Sequence, residues 1–184
     1  NFYGFTKLEI EKIMDWYSKL KGINFGVLRY FNAVGYDAKG RIKGLEKNPA
    51  NLFPIVMEVA CGKRQSIQIF GNDYDTDDGT GVRDYIHVTD LATAHISSMK
   101  YLIKNNDNLI VNLGTGSGFS VMEVITKVQE ITMRKIPFLI STRRTGDSGK
   151  VIAVSTKSKE LINWSSPHSS LDQIINSMLQ VYNY

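Results

Sequence analysis

Short apolar segments alternate with helical patterns along the chain, and no other feature of the sequence constrains the fold as strongly. Residues 3–20 place apolar side chains at helical spacing, whereas Leu109–Leu113 is a short, continuously apolar run of the kind that forms a buried strand. Ser120 and Glu123 match the S-x-x-E pattern with which many helices begin. Because strands and helices alternate, the sequence predicts an α/β fold.

The same patterns predict the remaining elements. Strands are expected over residues 24–30, 66–70, 83–88 and 136–140. Helices are expected over residues 54–61, 91–104, 120–132, 157–162 and 171–182. Residues 31–51 are rich in Gly, Lys and Asn, so this stretch is predicted to form a loop.

The apolar runs and the single cysteine indicate a location. No run reaches the roughly 18 apolar residues that a membrane-spanning helix needs, and the first residues show no secretory pattern. Cys61 has no second cysteine with which to form a disulfide, which is typical of proteins in a reducing compartment. We therefore expect a cytoplasmic protein that does not bind a membrane.

The distribution of positive charge indicates the kind of ligand. The net charge is +4, yet the basic residues are scattered, and the double arginine Arg143-Arg144 is the one conspicuous cluster. Proteins that bind nucleic acid usually gather Lys and Arg into one stripe. The pattern therefore favours a compact phosphate ligand over nucleic acid.

Tyr3 and Lys7 lie one helical turn apart, so both side chains project from the same face of the predicted helix. A cation beside a phenol favours the phenolate form, which a general base requires. Tyr17 and Lys21 repeat the same spacing. Spacing alone therefore does not identify a catalytic pair.

The glycine-rich segment Gly114–Gly118 lies between a predicted strand and a predicted helix, where a dinucleotide fingerprint would lie. The G-x-G-x-x-G pattern requires glycine at Phe119, and no acidic residue follows at the expected distance. We interpret the segment as a tight turn. No other segment of the sequence matches a coenzyme-diphosphate loop.

The acidic and histidine residues do not form a recognisable metal site. Asp73, Asp75 and Asp77 resemble the start of a calcium loop, but the positions that require glycine and glutamate hold Asp78 and Asp84. The three histidines lack metal-ligand spacing. We interpret residues 71–81 as a solvated acidic loop.

Two arginine-containing motifs leave two interpretations open. Arg83 begins the segment RDYIHV, and Arg144 precedes Asp147 in RRTGD. Each arginine could clamp a phosphate through two parallel hydrogen bonds. Each could equally form a surface ion pair, with Asp84 or with Asp147.

Taken in order, these motifs resemble the UDP-galactose (UDP-glucose) 4-epimerase family of extended short-chain dehydrogenases/reductases. The resemblance covers nearly the whole chain through the segments Tyr3–Lys7, Leu28–Gly35, Asn51–Pro54, Ile69–Tyr74, Asp78–Val88, Asn112–Gly116 and Arg143–Asp147. The string DDGTGVRDYIHV is its most specific part. The family fold implies the end of a Rossmann-type doubly wound sheet plus a smaller α/β substrate-binding domain. Residues 1–30 and about 86–114 would belong to the NAD-binding domain, and residues 31–85 and 115–184 to the UDP-sugar domain.

The resemblance also implies an activity and its residues. It implies NAD-dependent interconversion of UDP-glucose and UDP-galactose, and of their N-acetyl forms where Val151 leaves room. Tyr3 would take the proton from the sugar 4-hydroxyl while hydride passes to NAD. Lys7 would hold the nicotinamide ribose, and Tyr30 would contact the coenzyme. The remaining UDP-sugar contacts would be Asn32, Asn51, Leu52, Gln68, Ile69, Phe70, Arg83, Arg144 and Asp147.

Departures from the family pattern and missing parts leave an alternative. Phe2, Phe5, Ala50 and Val154 differ from the residues usual in the family. The family's coenzyme loop and third catalytic Ser/Thr would precede Tyr3, so we expect an N-terminal coenzyme-binding segment outside this chain and no activity from the chain alone. The complete enzyme is expected to be a homodimer. The alternative is a truncated, non-catalytic protein that binds a nucleotide sugar or a partner chain.

Overall fold

The structure is a computed structural model that describes residues 2–182. The helices of this range are α1 (Phe2–Lys21), α2 (Leu52–Ala60), α3 (Val88–Asn105), α4 (Val121–Thr132), α5 (Thr156–Ile162) and α6 (Leu171–Tyr182). The strands are β1 (Gly26–Tyr30), β2 (Asn32–Val34), β3 (Ile67–Phe70), β4 (Val82–Arg83), β5 (Tyr85–His87), β6 (Leu109–Leu113), β7 (Phe119–Ser120), β8 (Phe138–Ser141) and β9 (Lys150–Val151). This alternation confirms the predicted α/β architecture.

Most of the strand pairing is parallel. Strand β1 pairs with β6, β2 with β5, and β3 with β8, each in parallel register. Strand β4 pairs with β7 in the antiparallel direction and with β9 in the parallel direction. Parallel partners are joined through helices, so each pair brings together segments that lie far apart in the sequence.

Three short strands were not expected from the sequence, because each contains too few residues to show periodicity. Strand β2 falls inside the predicted loop and forms by pairing with β5. The strand expected over residues 83–88 is divided at Asp84. There the chain changes partners, since the Asp84 amide donates to the Val151 carbonyl (3.1 Å) and its carbonyl accepts from the Asn32 amide (3.1 Å).

Two hydrophobic clusters form the core. The larger one lies among α2, α4, α6 and β3, and includes Phe53, Met57 and Ile174. The other packs α3 and β6 against Ile162 and Trp164. Those two residues come from the stretch assigned to the sugar-binding domain, yet they pack on the β1–β6 side. The domain division itself stays a prediction.

Helix α1 carries apolar residues but buries none of them. Glu11 forms an ion pair with Arg29, and the Asn108 side-chain amide donates to the Ser18 hydroxyl (2.9 Å), which attaches the helix to the β1–β6 pair. Although α1 is 20 residues long, neither it nor any other helix between residues 2 and 182 is long and apolar enough to cross a membrane.

Candidate functional site

A pocket of about 390 Å³ lies between β2, β5, the start of α2, strand β3 and the loop of residues 142–149. We call residues 142–149 the basic loop and residues 71–81 the acidic loop. Nine of the site residues predicted from the sequence line this pocket: Asn32, Asn51, Leu52, Gln68, Ile69, Phe70, Arg83, Arg144 and Asp147. The fold therefore brings together residues that are spread over more than half of the sequence.

Strand β3 forms one wall of the pocket. The Gln68 side chain is exposed and donates to the Ser141 hydroxyl (2.6 Å), whereas Ile69 is buried. Phe70 presents its ring to the basic loop, and the guanidinium carbon of Arg144 lies 3.9 Å from the ring centroid. A flat aromatic ring beneath a planar cation suits a ligand that combines a base with phosphate groups.

Arg83 forms an ion pair with Asp147 inside the pocket. The Arg83 side chain is 19% exposed and that of Asp147 36% exposed, so the pair is largely buried on the arginine side and open to solvent on the carboxylate side. The alternative partner, Asp84, is fully buried and makes other contacts. The ion pair and the phosphate clamp are therefore compatible, because a guanidinium with five donors can serve a carboxylate and a phosphate at once.

Asp84 fixes the glycine-rich segment that follows β6. Its carboxylate accepts from the amides of Thr115 (2.9 Å), Gly116 (3.1 Å) and Ala153 (3.2 Å), and from the Thr115 hydroxyl (2.8 Å). This confirms the interpretation of residues 114–118 as a turn. The amides that a coenzyme diphosphate would need are already bound to a carboxylate of the chain.

The N-terminus of α2 also opens on the pocket. Asn51 is the residue before the first helical turn, yet its side chain makes no capping hydrogen bond. Asn51, Leu52 and Phe53 line the pocket. Because unpaired amides and the helix dipole favour negative charge at this end, the position is suited to a phosphate group.

The proposed catalytic and coenzyme-binding residues lie outside the set that lines the pocket. Tyr3 and Lys7 are on α1, with the Lys7 ammonium 5.3 Å from the centroid of the Tyr3 ring. Tyr3 is 70% exposed. Tyr30 ends β1 and is half exposed, with its ring centroid 6.4 Å from that of His95. The described residues thus place the Tyr–Lys pair on an open surface.

Val151, the proposed gate at the sugar, is also outside the lining set. It lies on β9, where it is directly paired with Arg83 of β4. The residue is partly exposed. Its strand partner, Arg83, lines the pocket, so Val151 lies beside a lining residue.

Two tyrosines of the pocket were missed as site residues, although both occur in the motifs that carry the resemblance. Tyr85 packs edge-on against Phe53, with 5.0 Å between ring centroids, and burial raises the pKa of its phenol, which therefore stays protonated. Tyr74 is buried, and its hydroxyl has no hydrogen-bond partner among residues 2–182. The signal that could have identified them was their place in two of those motifs, Tyr74 at the end of Ile69–Tyr74 and Tyr85 within Asp78–Val88.

The acidic loop is tied to the protein and forms no metal centre. The Asp78 carboxylate accepts from the Thr80 amide (2.8 Å) and from the Ser120 hydroxyl at the start of α4. Burial raises the Asp78 pKa, but these hydrogen bonds outweigh it and the pKa is lowered. Within the part of the chain that the structure describes, no group of three His, Cys, Asp or Glu residues could hold a metal ion.

Comparison with known proteins agrees with this geometry. The NAD dependent epimerase/dehydratase family matches residues 1–114. A UDP-glucose 4-epimerase of Halalkalibacterium halodurans is 44% identical over 175 residues, which are 95% of this chain and 52% of that protein. The chain spans about half the length of the curated relatives it matches.

Solved structures resemble the chain over nearly its whole length. One is UDP-glucose-4-epimerase from Stenotrophomonas maltophila with bound NAD and formylated UDP-arabinopyranose (37% identity, TM-score 0.92, 98% of this chain and 54% of that one). Another is UDP-glucose 4-epimerase from Bifidobacterium longum in complex with NAD+ and UDP (38% identity, TM-score 0.87, 100% of this chain and 55% of that one). These likenesses confirm the predicted fold class.

Proposed function

The chain belongs to the NAD dependent epimerase/dehydratase family, and on this premise we propose that the protein containing it interconverts UDP-glucose and UDP-galactose with NAD. The family assignment confirms the resemblance inferred from the sequence. Because the chain spans about half of its relatives, the activity is proposed for the whole protein. The cytoplasm is the proposed location, since Cys61 has no second cysteine in this sequence.

The observation that carries the proposal is the pocket that joins Phe70, Arg83, Arg144 and Asp147. Two guanidinium groups and the N-terminus of α2 supply positive potential for a diphosphate. The Phe70 ring supplies an apolar face for a base. Asp147 adds a carboxylate that can accept from a ribose hydroxyl. Such a set of groups is suited to UDP.

Tyr3 and Lys7 are the proposed catalytic residues. In this assignment the Tyr3 side chain, as the phenolate, takes the proton of the sugar 4-hydroxyl, and the Lys7 ammonium lies on the same helix face, 5.3 Å from the centroid of the Tyr3 ring. NAD, if held by Lys7 and Tyr30 at its nicotinamide-ribose end, would supply reversible hydride transfer at sugar C4. Lys7 and Tyr30 fit only the nicotinamide-ribose end of this coenzyme. The loop for its diphosphate is assigned to sequence outside these 184 residues.

We also propose that a second copy of the protein covers α1. The exposed apolar side chains of this helix include Phe5, Ile13, Trp16 and Leu20. A helix with such a face is stabilised when another helix packs against it. The oligomeric state of the complete protein in solution tests this part of the proposal.

A second function is favoured by one observation. The pocket is formed within this chain, whereas Tyr3 and Lys7 lie outside its lining. A protein that binds nucleotide sugars without turnover would need only the pocket. Incubating the complete protein with UDP-galactose and measuring UDP-glucose tests the choice. Product formation supports the epimerase, and UDP binding without product supports the binding protein.

A further inference from the structure

The basic loop contains two neighbouring arginines that have different partners. Arg144 lines the pocket and stacks on Phe70. Arg143 is not among the lining residues and instead contacts the acidic loop. The sequence marked the two arginines as a basic cluster and assigned only Arg144 to the ligand, and the structure gives Arg143 a separate contact.

Arg143 binds the acidic loop through three contacts. Its Nε donates to the Asp73 carboxylate (2.7 Å), and its Nη2 donates to the Asp73 carbonyl. Its guanidinium carbon lies 4.2 Å from the centroid of the Tyr74 ring. The hydrogen bond from Arg143 lowers the pKa of the Asp73 carboxyl below its ordinary value.

Tyr74 is closely packed at the docking point. Its ring lies so close to Gly71 and Gly149 that a Cβ atom would come within 2.8 Å of the ring at Gly71 and 3.3 Å at Gly149. Its amide donates to the Gly79 carbonyl (2.9 Å). Because Gly149 ends the basic loop and Gly71 begins the acidic loop, the ring is held between the two loops. Arg143 therefore contacts a ring that packs against both loops.

We propose that Arg143 is a positioning residue, which docks the basic loop on Asp73 and Tyr74 and thereby places Arg144 and Asp147 in the pocket. The proposal rests on the proposed function in that the ligand of the pocket is taken to be UDP. The Arg143–Asp73 pair is largely exposed, so it contributes little to global stability. The pair acts by holding the basic loop in place, because binding groups must be held within about 0.5 Å of the productive position.

The charge of Asp73 provides a test in which the two explanations predict opposite signs. If Arg143 touched the phosphates directly, Asp73→Ala would free this arginine and remove a negative charge, and UDP would bind more tightly. If Arg143 acts by docking the loop, Asp73→Ala weakens binding because the docking point is lost. Asp75→Ala removes the same charge from the same loop and serves as the matched control.

The experiment measures UDP affinity by calorimetry in the complete protein, for Arg143→Ala, Asp73→Ala and the double variant. We expect each single change to weaken UDP binding about five- to tenfold, a fraction of what loss of a charged hydrogen bond to the ligand would cause. The double variant should be no weaker than either single one, since both remove the same contact. Arg143→Lys should restore part of the loss. In turnover, KM should rise while kcat stays near the wild-type value.

Four outcomes would overturn the proposal. Tighter binding by Asp73→Ala would make Arg143 a direct ligand, and additive losses in the double variant would show separate roles. Unchanged affinity in both single variants would leave the docking contact without effect on the pocket, while the proposed function would stand. A wild-type protein that does not bind UDP would remove the proposed function together with this inference.

Discussion

Arg83 and Asp147 are 64 positions apart in the sequence, yet they form an ion pair within one pocket. Strand β4 holds the arginine and the basic loop holds the carboxylate. The Arg83 guanidinium also donates to the Val82 carbonyl (2.9 Å), and this hydrogen bond holds it against strand β4. The pair joins strand β4 to the loop that carries Arg144. It therefore orients Arg83 and Arg144, the two candidate phosphate-binding residues.

Replacing the pocket arginines should weaken nucleotide binding. Arg83→Ala and Arg144→Ala should each weaken UDP binding by roughly 1.5–3 kcal/mol, the value of a charge-assisted hydrogen bond. UMP, which lacks the second phosphate, should be affected less. Calorimetric titration of both nucleotides measures the difference. Arg41→Ala, which removes an exposed arginine paired with Asp37 outside the pocket, is the control. Equal losses for UMP and UDP would contradict the diphosphate assignment.

Replacing the Tyr3 phenol should stop the chemistry while binding is retained. Tyr3→Phe removes the proposed general base but leaves the pocket residues in place. We expect epimerisation to be lost and UDP-sugar affinity to stay near the wild-type value in the complete protein. Tyr17→Phe makes the same change at the second tyrosine with this spacing and should be harmless. Turnover rates of the two variants and of wild type test this prediction. Near-normal turnover in Tyr3→Phe would remove this residue from the mechanism.

Val151 should influence which sugars are accepted. Valine leaves room where a tyrosine ring would intrude, and filling an apolar gap contributes roughly 0.8 kcal/mol per methyl-sized group. We therefore expect turnover of UDP-N-acetylglucosamine alongside UDP-glucose, and a lower preference for the N-acetyl sugar in Val151→Tyr. The ratio of kcat/KM for the two sugars measures this. Lys150→Tyr is the control, because its side chain leaves β9 on the opposite face. An unchanged ratio in Val151→Tyr would exclude a gate here.

The buried His87 should make stability depend on pH. Burial lowers the His87 pKa, and its Nδ1 accepts from the Thr89 amide (3.0 Å) while Nε2 lies 3.1 Å from the Ser177 hydroxyl. The folded protein therefore holds the neutral ring, whereas the unfolded chain takes up a proton near pH 6.5. Stability from this group is complete above that pH and declines as the pH falls below it.

Melting temperatures measured between pH 5 and pH 8 test the His87 prediction. Wild type should lose stability on the acid side, and His87→Asn, although less stable throughout, should show a smaller loss between the two ends of this range. Parallel curves for the two proteins would show that another group causes the dependence.

The sequence predicted those elements whose pattern is local. Leu109–Leu113 and Leu171–Tyr182 were predicted with their observed bounds, because a continuous apolar run and a helical stripe need no distant partner to be recognised. The capping box at Ser120 and Glu123 is present with both of its hydrogen bonds. Strand β2 could not be predicted, since its three residues become a strand only through β5.

The candidate site, like the fold, could be predicted from the sequence only in part. The residues of the pocket could be named from motifs, because each motif is local. The contacts among these residues could not be predicted. Arg83 pairs with Asp147 and not with Asp84, because the pairing depends on where β4 meets the basic loop. For the same reason the sequence named Arg144 as a ligand contact but gave no partner for Arg143. Their separate partners, Asp73 and Phe70, became visible only in three dimensions.

The most direct test of the proposed activity follows an isotope at the reacting carbon. The complete protein is incubated with UDP-galactose that carries deuterium at C4 of the sugar, and the product is examined by NMR and mass spectrometry. Oxidation and reduction at the same carbon predict UDP-glucose that retains the deuterium at C4, with Tyr3→Phe giving no product. Absence of UDP-glucose, or UDP-glucose whose C4 has lost the deuterium to water, would contradict the account.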